Sequence, residues 1–130
     1  MAIVGTGVDV AEVARLRAAL ESPRTGARFR ARVFTAAEQA YCEGRGHGRY
    51  ESYAARFAAK EATMKALARG WSADVGWLDI EVVRAPSGRP DIVLRGAAAA
   101  YGRRIGVGRL HLALTHTAEI AVAYVIAERE

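Results

Sequence analysis

The chain has 130 residues, enough for one domain spanning residues 1–130 with a core of its own. Hydrophobic content of 52% and charged content of 25% are those of an ordinary globular domain, no apolar run reaches membrane-spanning length, and the one cysteine, Cys42, excludes an intrachain disulfide and any cysteine-based metal cluster. The net charge of +5 resides in the first 70 residues, with twelve Lys/Arg against seven Asp/Glu, while residues 71–130 balance at seven of each; such a half suits an anionic partner, whether nucleic acid, a polyphosphate cofactor or an acidic protein.

Ile3 to Val10 alternates and predicts a strand. One of its faces carries Ile3, Gly5, Gly7 and Asp9, so it is small and ends in a carboxylate. The segment has no basic residues ahead of its apolar run, which argues against a signal peptide. Together with a lone, packed Cys42 it points to the cytoplasm. Asp9 followed by Glu12 has the spacing of a helix cap with its reciprocal partner, and Val13, Leu16 and Leu20 form an apolar stripe, so a helix is expected over 10–21. Pro23, Thr25 and Gly26 break the chain, and a short helix with Phe29 and Val33 follows. Thr35 and Glu38 repeat the capping pattern. Gly44 to Gly48 reads as a loop.

From Glu51 to Arg69 there is no Pro or Gly, which predicts one long helix. Phe57, Glu61 and Lys65 share a face of it, and Lys60, Met64 and Leu67 a neighbouring stripe. Gly70 to Gly76 is a second loop. Leu78, Ile80 and Val82 alternate as a strand, the 86–90 segment turns, and Ile92 to Leu94 returns. A helix over 97–104 precedes Leu110, Leu112 and Leu114, which alternate into Thr115-His116-Thr117. Ile120 to Ala127 is a final strand. The order predicts an α+β fold: a mostly antiparallel sheet packed on a helical block with one long central helix.

Lys60 and Lys65 are the chain's two lysines; its other seventeen basic residues are arginine. Lysine is a compact point charge that can give up its proton when desolvated, whereas arginine cannot. On the long helix, Glu61 and Lys65 read either as a surface ion pair or as a carboxylate ligand one turn from a phosphate-contacting ammonium. Asp9 and Glu61 could together ligate a hard cation such as Mg2+. His116 lies between two hydroxyls at a strand end, while His111 should point to the opposite face and pack.

Three motifs in order resemble the holo-acyl-carrier-protein synthase family of small phosphopantetheinyl transferases. They are Gly5-x-Gly7-x-Asp9-x-x-Glu12-x-x-Arg15, then Arg56-Phe57-Ala58-Ala59-Lys60-Glu61-Ala62-x-x-Lys65-Ala66, then His111-x-x-x-Thr115-His116-Thr117. The Asp79-Ile80-Glu81-Val82 strand, the Ser87-Gly88-Arg89-Pro90 turn and the final strand extend the resemblance over the whole chain.

The resemblance implies transfer of the 4′-phosphopantetheine arm of coenzyme A to a serine of an apo acyl carrier protein, in fatty-acid or polyketide synthesis. It implies Mg2+ held by Asp9 and Glu61. Lys65 would contact phosphate and assist proton transfer; Arg56 and His116, with Thr115 or Thr117 beside it, would hold coenzyme A phosphates, and Lys60 would be either a phosphate contact or a conformational anchor. Arg15, Arg24 and Arg28 would meet the acidic carrier protein. It implies a homotrimer with interfacial active sites, and neither nucleic acid nor membrane as partner. Where many members carry a Gly-x-Gly loop after the second lysine, this chain has Ala68-Arg69-Gly70-Trp71-Ser72. The competing readings are a catalytically silent carrier-protein-binding subunit and a basic nucleic-acid-binding module.

Overall fold

The computed structural model describes residues 2–68 and 75–130. The loop expected at 70–76 and the altered segment after Ala68 therefore lie largely outside the described residues. In chain order the elements are β1 (Ile3–Glu12), α1 (Val13–Glu21), α2 (Gly26–Val33), α3 (Ala36–Glu43), α4 (Arg49–Ala66), β2 (Ile80–Arg84), β3 (Pro90–Leu94), α5 (Gly96–Arg104), β4 (Val107–His116) and β5 (Ile120–Arg129). The strands form two antiparallel sheets, one ordered β1-β5-β4 and one pairing β2 with β3. This is the α+β arrangement expected, with α4 as the long central helix.

Alternation sorts the larger sheet into two faces. Gly5, Gly7, Ala11, Ala121, Ala123, Val125 and Ala127 pack toward α4. The opposite face carries Val8, Val10, Ile120 and Tyr124, which are 37–56% exposed. Helix α4 lies very close to β1 because both contact surfaces are small. A Cβ built on Gly7 would fall 1.9 Å from the Ala62 carbonyl oxygen, and one on Gly5 2.1 Å from that of Ala66.

Two local expectations change. Asp9 does not cap a helix: the β1–β5 ladder runs on to Glu12 opposite Ile120, and α1 starts at Val13 with no side-chain cap. Strand pairing overrides the local pattern there, and Asp9 stays in the sheet. Leu78 lies in a short 3₁₀ turn at 77–79, ahead of β2. The Thr35–Glu38 capping box does form.

Of the two readings of Lys60, the structure takes the conformational anchor and removes the phosphate contact. Its ammonium is fully buried, 2.8 Å from Glu38 Oε1, and donates to the carbonyls of Ile80 at 2.6 Å and Trp77 at 2.9 Å. Glu38 in turn accepts from the amides of Thr35 and Val82. A side chain so enclosed cannot reach a nucleotide; it ties α4 and α3 to the start of β2. Burial pulls its pKa down, and the Glu38 carboxylate pushes it back up. Removing one partner of such a pair strands a buried charge. Lys60→Met is therefore expected to destabilise the fold by about 3–5 kcal/mol, read as a lower denaturant midpoint. A Lys60→Met, Glu38→Gln double variant should recover part of that loss, because no uncompensated charge remains.

Candidate active site

Asp9 reaches the site from β1, and Glu61 from α4, two residues before Thr63. The glycine face of β1 brings the two elements together, so both carboxylates lie in one small region. Burial holds the Glu61 carboxyl above its usual range and the charge of Asp9 adds to this, while Lys65 and Arg15 pull it back. Lys65 Nζ donates to Asp9 Oδ1 at 3.1 Å and to the Val8 carbonyl at 3.0 Å. Asp9 is thus the carboxylate on which the Lys65 ammonium rests, although the helical spacing had suggested Glu61.

Two carboxylates, one of them short of positive charge, are a donor set that suits Mg2+. That ion binds through one or two carboxylates and keeps waters or substrate phosphates for its other positions. Among the described residues no cluster of three or more His, Cys, Asp or Glu is placed to cage a metal alone. The residues present therefore fit a shared metal–phosphate site.

Beside Glu61 opens a groove of about 260 Å³ lined by Arg15, Leu16, Phe29 and Phe57. Phe57 is stacked on Trp77, ring centroids 5.2 Å apart, which fixes that wall. A second hollow, lined by Arg28 and Arg32, adjoins the groove through Ala19 and Phe29. Arg15 and Arg28 are exposed at these two hollows, and Arg24 is exposed in the turn between α1 and α2. An anionic protein surface that settles there would deliver a side chain to the carboxylate pair.

A basic cluster unforeseen from the sequence surrounds Tyr41. The guanidinium carbons of Arg56, Arg84 and Arg45 lie 4.1, 5.2 and 5.6 Å from its ring centroid. Arg84 Nη1 also donates to the Tyr41 hydroxyl at 3.0 Å. Arg56 Nε is buried without a hydrogen-bond partner among the described residues. Three cations about one ring can attract a phosphate, which would meet the exposed Arg45 and Arg84 first, since Arg56 is largely buried. Arg56 was expected here, but Arg45 and Arg84 come from 11 and 28 residues away along the chain, beyond any local spacing.

His116 sits at the end of β4, on the face turned to α4, with Nδ1 3.4 Å from Glu51 Oε2. Thr115 alternates to the opposite face. The Thr117 hydroxyl accepts from the amides of Glu119 and Ile120 and so shapes the β4–β5 turn. The expected hydroxyl–imidazole–hydroxyl cluster is thus not assembled. His111 is on the far face as expected, but it is exposed and bonded to Glu128 at 3.1 Å rather than packed. Glu51 and Glu61 are ten residues apart on α4, about 15 Å at the rise of an α-helix. His116 therefore meets α4 nearly three turns before Glu61, while along the sheet it pairs with Ala121 and Asp9 with Ala123, two residues apart on β5.

The sequence pattern of the 4′-phosphopantetheinyl transferase superfamily matches residues 5–125. The chain is 48% identical to a holo-[acyl-carrier-protein] synthase of Solibacter usitatus, over 97% of this chain and 98% of that one. It is 54% identical to one from Anaeromyxobacter sp., over 97% and 96%. The crystal structure of holo-[acyl-carrier-protein] synthase from Neisseria meningitidis matches with a TM-score of 0.87 at 26% identity, covering 98% of this chain and 100% of the other. That from Bacillus anthracis, in complex with CoA (3′,5′-ADP), matches with a TM-score of 0.80 at 33% identity over 98% of each chain.

Proposed function

This chain belongs to the 4′-phosphopantetheinyl transferase superfamily, and from that premise we propose how its own residues carry out the family's reaction. It is a holo-[acyl-carrier-protein] synthase: it transfers the 4′-phosphopantetheine arm of coenzyme A to a serine of apo acyl carrier protein and releases adenosine 3′,5′-bisphosphate. The serine oxygen forms a bond to the phosphorus of the arm, and the bond from that phosphorus to the departing bisphosphate breaks.

The observation that carries our assignment of roles is the joining of Asp9 and Glu61, with the Lys65 ammonium on the former. In this reading Asp9 and Glu61 hold Mg2+. When bound, that ion polarises the phosphorus centre and neutralises charge on the leaving group. Lys65 supplies a further positive charge to the pyrophosphate and stands where it can assist proton transfer. Arg56, with Arg45 and Arg84, takes a coenzyme A phosphate at the Tyr41 cluster. His116 offers its imidazole to another. Lys60, being enclosed, has no contact role. Arg15, Arg24 and Arg28 attract the acidic carrier protein and orient its serine toward the groove at Glu61, an attraction that weakens with salt.

We also propose a homotrimer whose sites form between subunits. The open face of the β1-β5-β4 sheet, with Val8, Val10 and Tyr124 exposed, supports it. So does the placement of His116, which meets α4 at Glu51, ten residues before Glu61. Among the described residues no helix is long and apolar enough to cross a membrane.

Intact mass of an apo carrier protein, incubated with this chain, coenzyme A and Mg2+, tests the assignment. A gain of about 340 Da that disappears with chelator is expected. An equal gain in chelator would refute the metal role of Asp9 and Glu61. No gain across several carrier proteins, with a folded enzyme, would favour the silent subunit.

A further inference from the structure

The Lys65 ammonium is fixed by two acceptors, Asp9 Oδ1 at 3.1 Å and the Val8 carbonyl at 3.0 Å. An ammonium has three donors, so two of its three are spent on β1. The Asp9 side chain is only 14% exposed, against 56% for that of Lys65. The accessible edge of the carboxylate is therefore narrow, and a cation lies on it already. Lys65 takes Oδ1, so a divalent ion held by Asp9 and Glu61 would share that narrow carboxylate edge with it and meet a unit positive charge within a few ångströms. Either the ammonium moves or the two charges repel across a short gap.

We propose that Lys65 is a displaceable counter-ion of Asp9, which a divalent cation must push off the carboxylate before the ammonium becomes free to meet a phosphate. This rests on the reading that Asp9 and Glu61 bind the metal. Its consequence is an order built into the site. With a metal held by Asp9 and Glu61, Lys65 would turn outward, and a pyrophosphate that captured the released ammonium would remove the metal's competitor. Metal and coenzyme A then tighten each other's binding, by the same factor in both directions. The long, exposed lysine stem suits such a movement. Lys60, with its ammonium enclosed by Glu38 and two carbonyls, could not make it.

Direct binding separates this proposal from the reading beneath it. Mn2+ would be titrated into the full-length protein without coenzyme A and followed by electron paramagnetic resonance, for the unsubstituted chain and for Lys65→Met, Lys65→Arg and Asp9→Asn. Lys65→Met is expected to bind Mn2+ about three- to tenfold more tightly, the size of effect one nearby charge exerts in a partly solvated site. Lys65→Arg should stay close to the unsubstituted protein, because the charge remains. Adding coenzyme A should tighten Mn2+ binding in the unsubstituted chain and do so less in Lys65→Met. Equal or weaker Mn2+ binding by Lys65→Met, with Asp9→Asn defective, would overturn the displacement while leaving the metal pair in place. Mn2+ binding unaffected by Asp9→Asn, or absent from every form, would overturn both.

Discussion

Alanine at Asp9 or at Glu61 is expected to lower magnesium-dependent transfer by at least about a thousandfold, equivalent to about 4 kcal/mol of lost transition-state stabilisation. The size follows from the step itself. Negative charge builds on the departing bisphosphate, and a metal held by one carboxylate instead of two is bound weakly and out of place. The fold should hardly notice. Asp9 contributes to stability chiefly through its pair with the exposed Lys65, and such pairs are worth about 0–1 kcal/mol. Glu61 is under strain from burial and from the neighbouring Asp9 charge, so its removal relieves repulsion. The expected signature is thus a folded enzyme with an unchanged or higher melting point and almost no turnover. Initial rates over a Mg2+ titration, beside a thermal melt, would check it. Turnover near that of the unsubstituted chain in either variant would remove that residue from the metal site.

Much of this site was legible because its parts sit on regular elements with clean periodicity. The alternation of Ile3 to Val10 placed Asp9 on the glycine face, and the helical spacing put Phe57 and Glu61 beside one groove, with Lys65 one turn further along the helix. What failed were contacts between residues distant in sequence. The patterns Asp9–Glu12 and Thr35–Glu38 look alike, yet only the second caps a helix. Pairing of β1 with β5 through Glu12 and Ile120, more than a hundred residues apart, decides the first. Lys60 looked like a ligand-binding residue because lysine is rare in this chain. Nothing local announced that Glu38, 22 residues earlier, would turn inward to meet it. Arg45 and Arg84 escaped notice for the same reason: a loop and a strand bring them beside Tyr41 to join Arg56 of α4. Thr115, His116 and Thr117 were read as a cluster because they are adjacent, and strand alternation separates them.

The second large effect concerns a residue with no side chain. Gly7→Ala is expected to be among the most damaging single-methyl changes in this chain, for stability and activity together. The added Cβ would lie 1.9 Å from the Ala62 carbonyl oxygen, 2.8 Å from the Ala66 amide nitrogen and 2.9 Å from the Ala62 carbonyl carbon. All three are backbone atoms, so no rotamer change can make room. Either β1 lifts from α4 or the helix shifts along it. Overpacking of a core typically costs 1–3 kcal/mol, and a backbone obstacle places this case at about 3 kcal/mol or above. Activity should fall further than stability alone requires. Asp9 is two residues along the same face of β1, and Glu61 directly precedes Ala62, so the displacement falls on the carboxylate pair itself. Near-attack geometry tolerates little, and a 1 Å shift can lower a rate by about a hundredfold. A companion substitution separates backbone from side-chain crowding. Ala62→Gly would rescue Gly7→Ala if the obstacle were the Ala62 methyl. With the carbonyl as the obstacle, no rescue is expected, and the double variant should unfold at lower denaturant than Gly7→Ala alone, because glycine within a helix costs about 1 kcal/mol more. Denaturant midpoints for the three variants, with Mg2+ activation measured below the transition, decide the matter. Rescue of both quantities by Ala62→Gly would mean that side chains, and not the close approach of two backbones, set the spacing between Asp9 and Glu61.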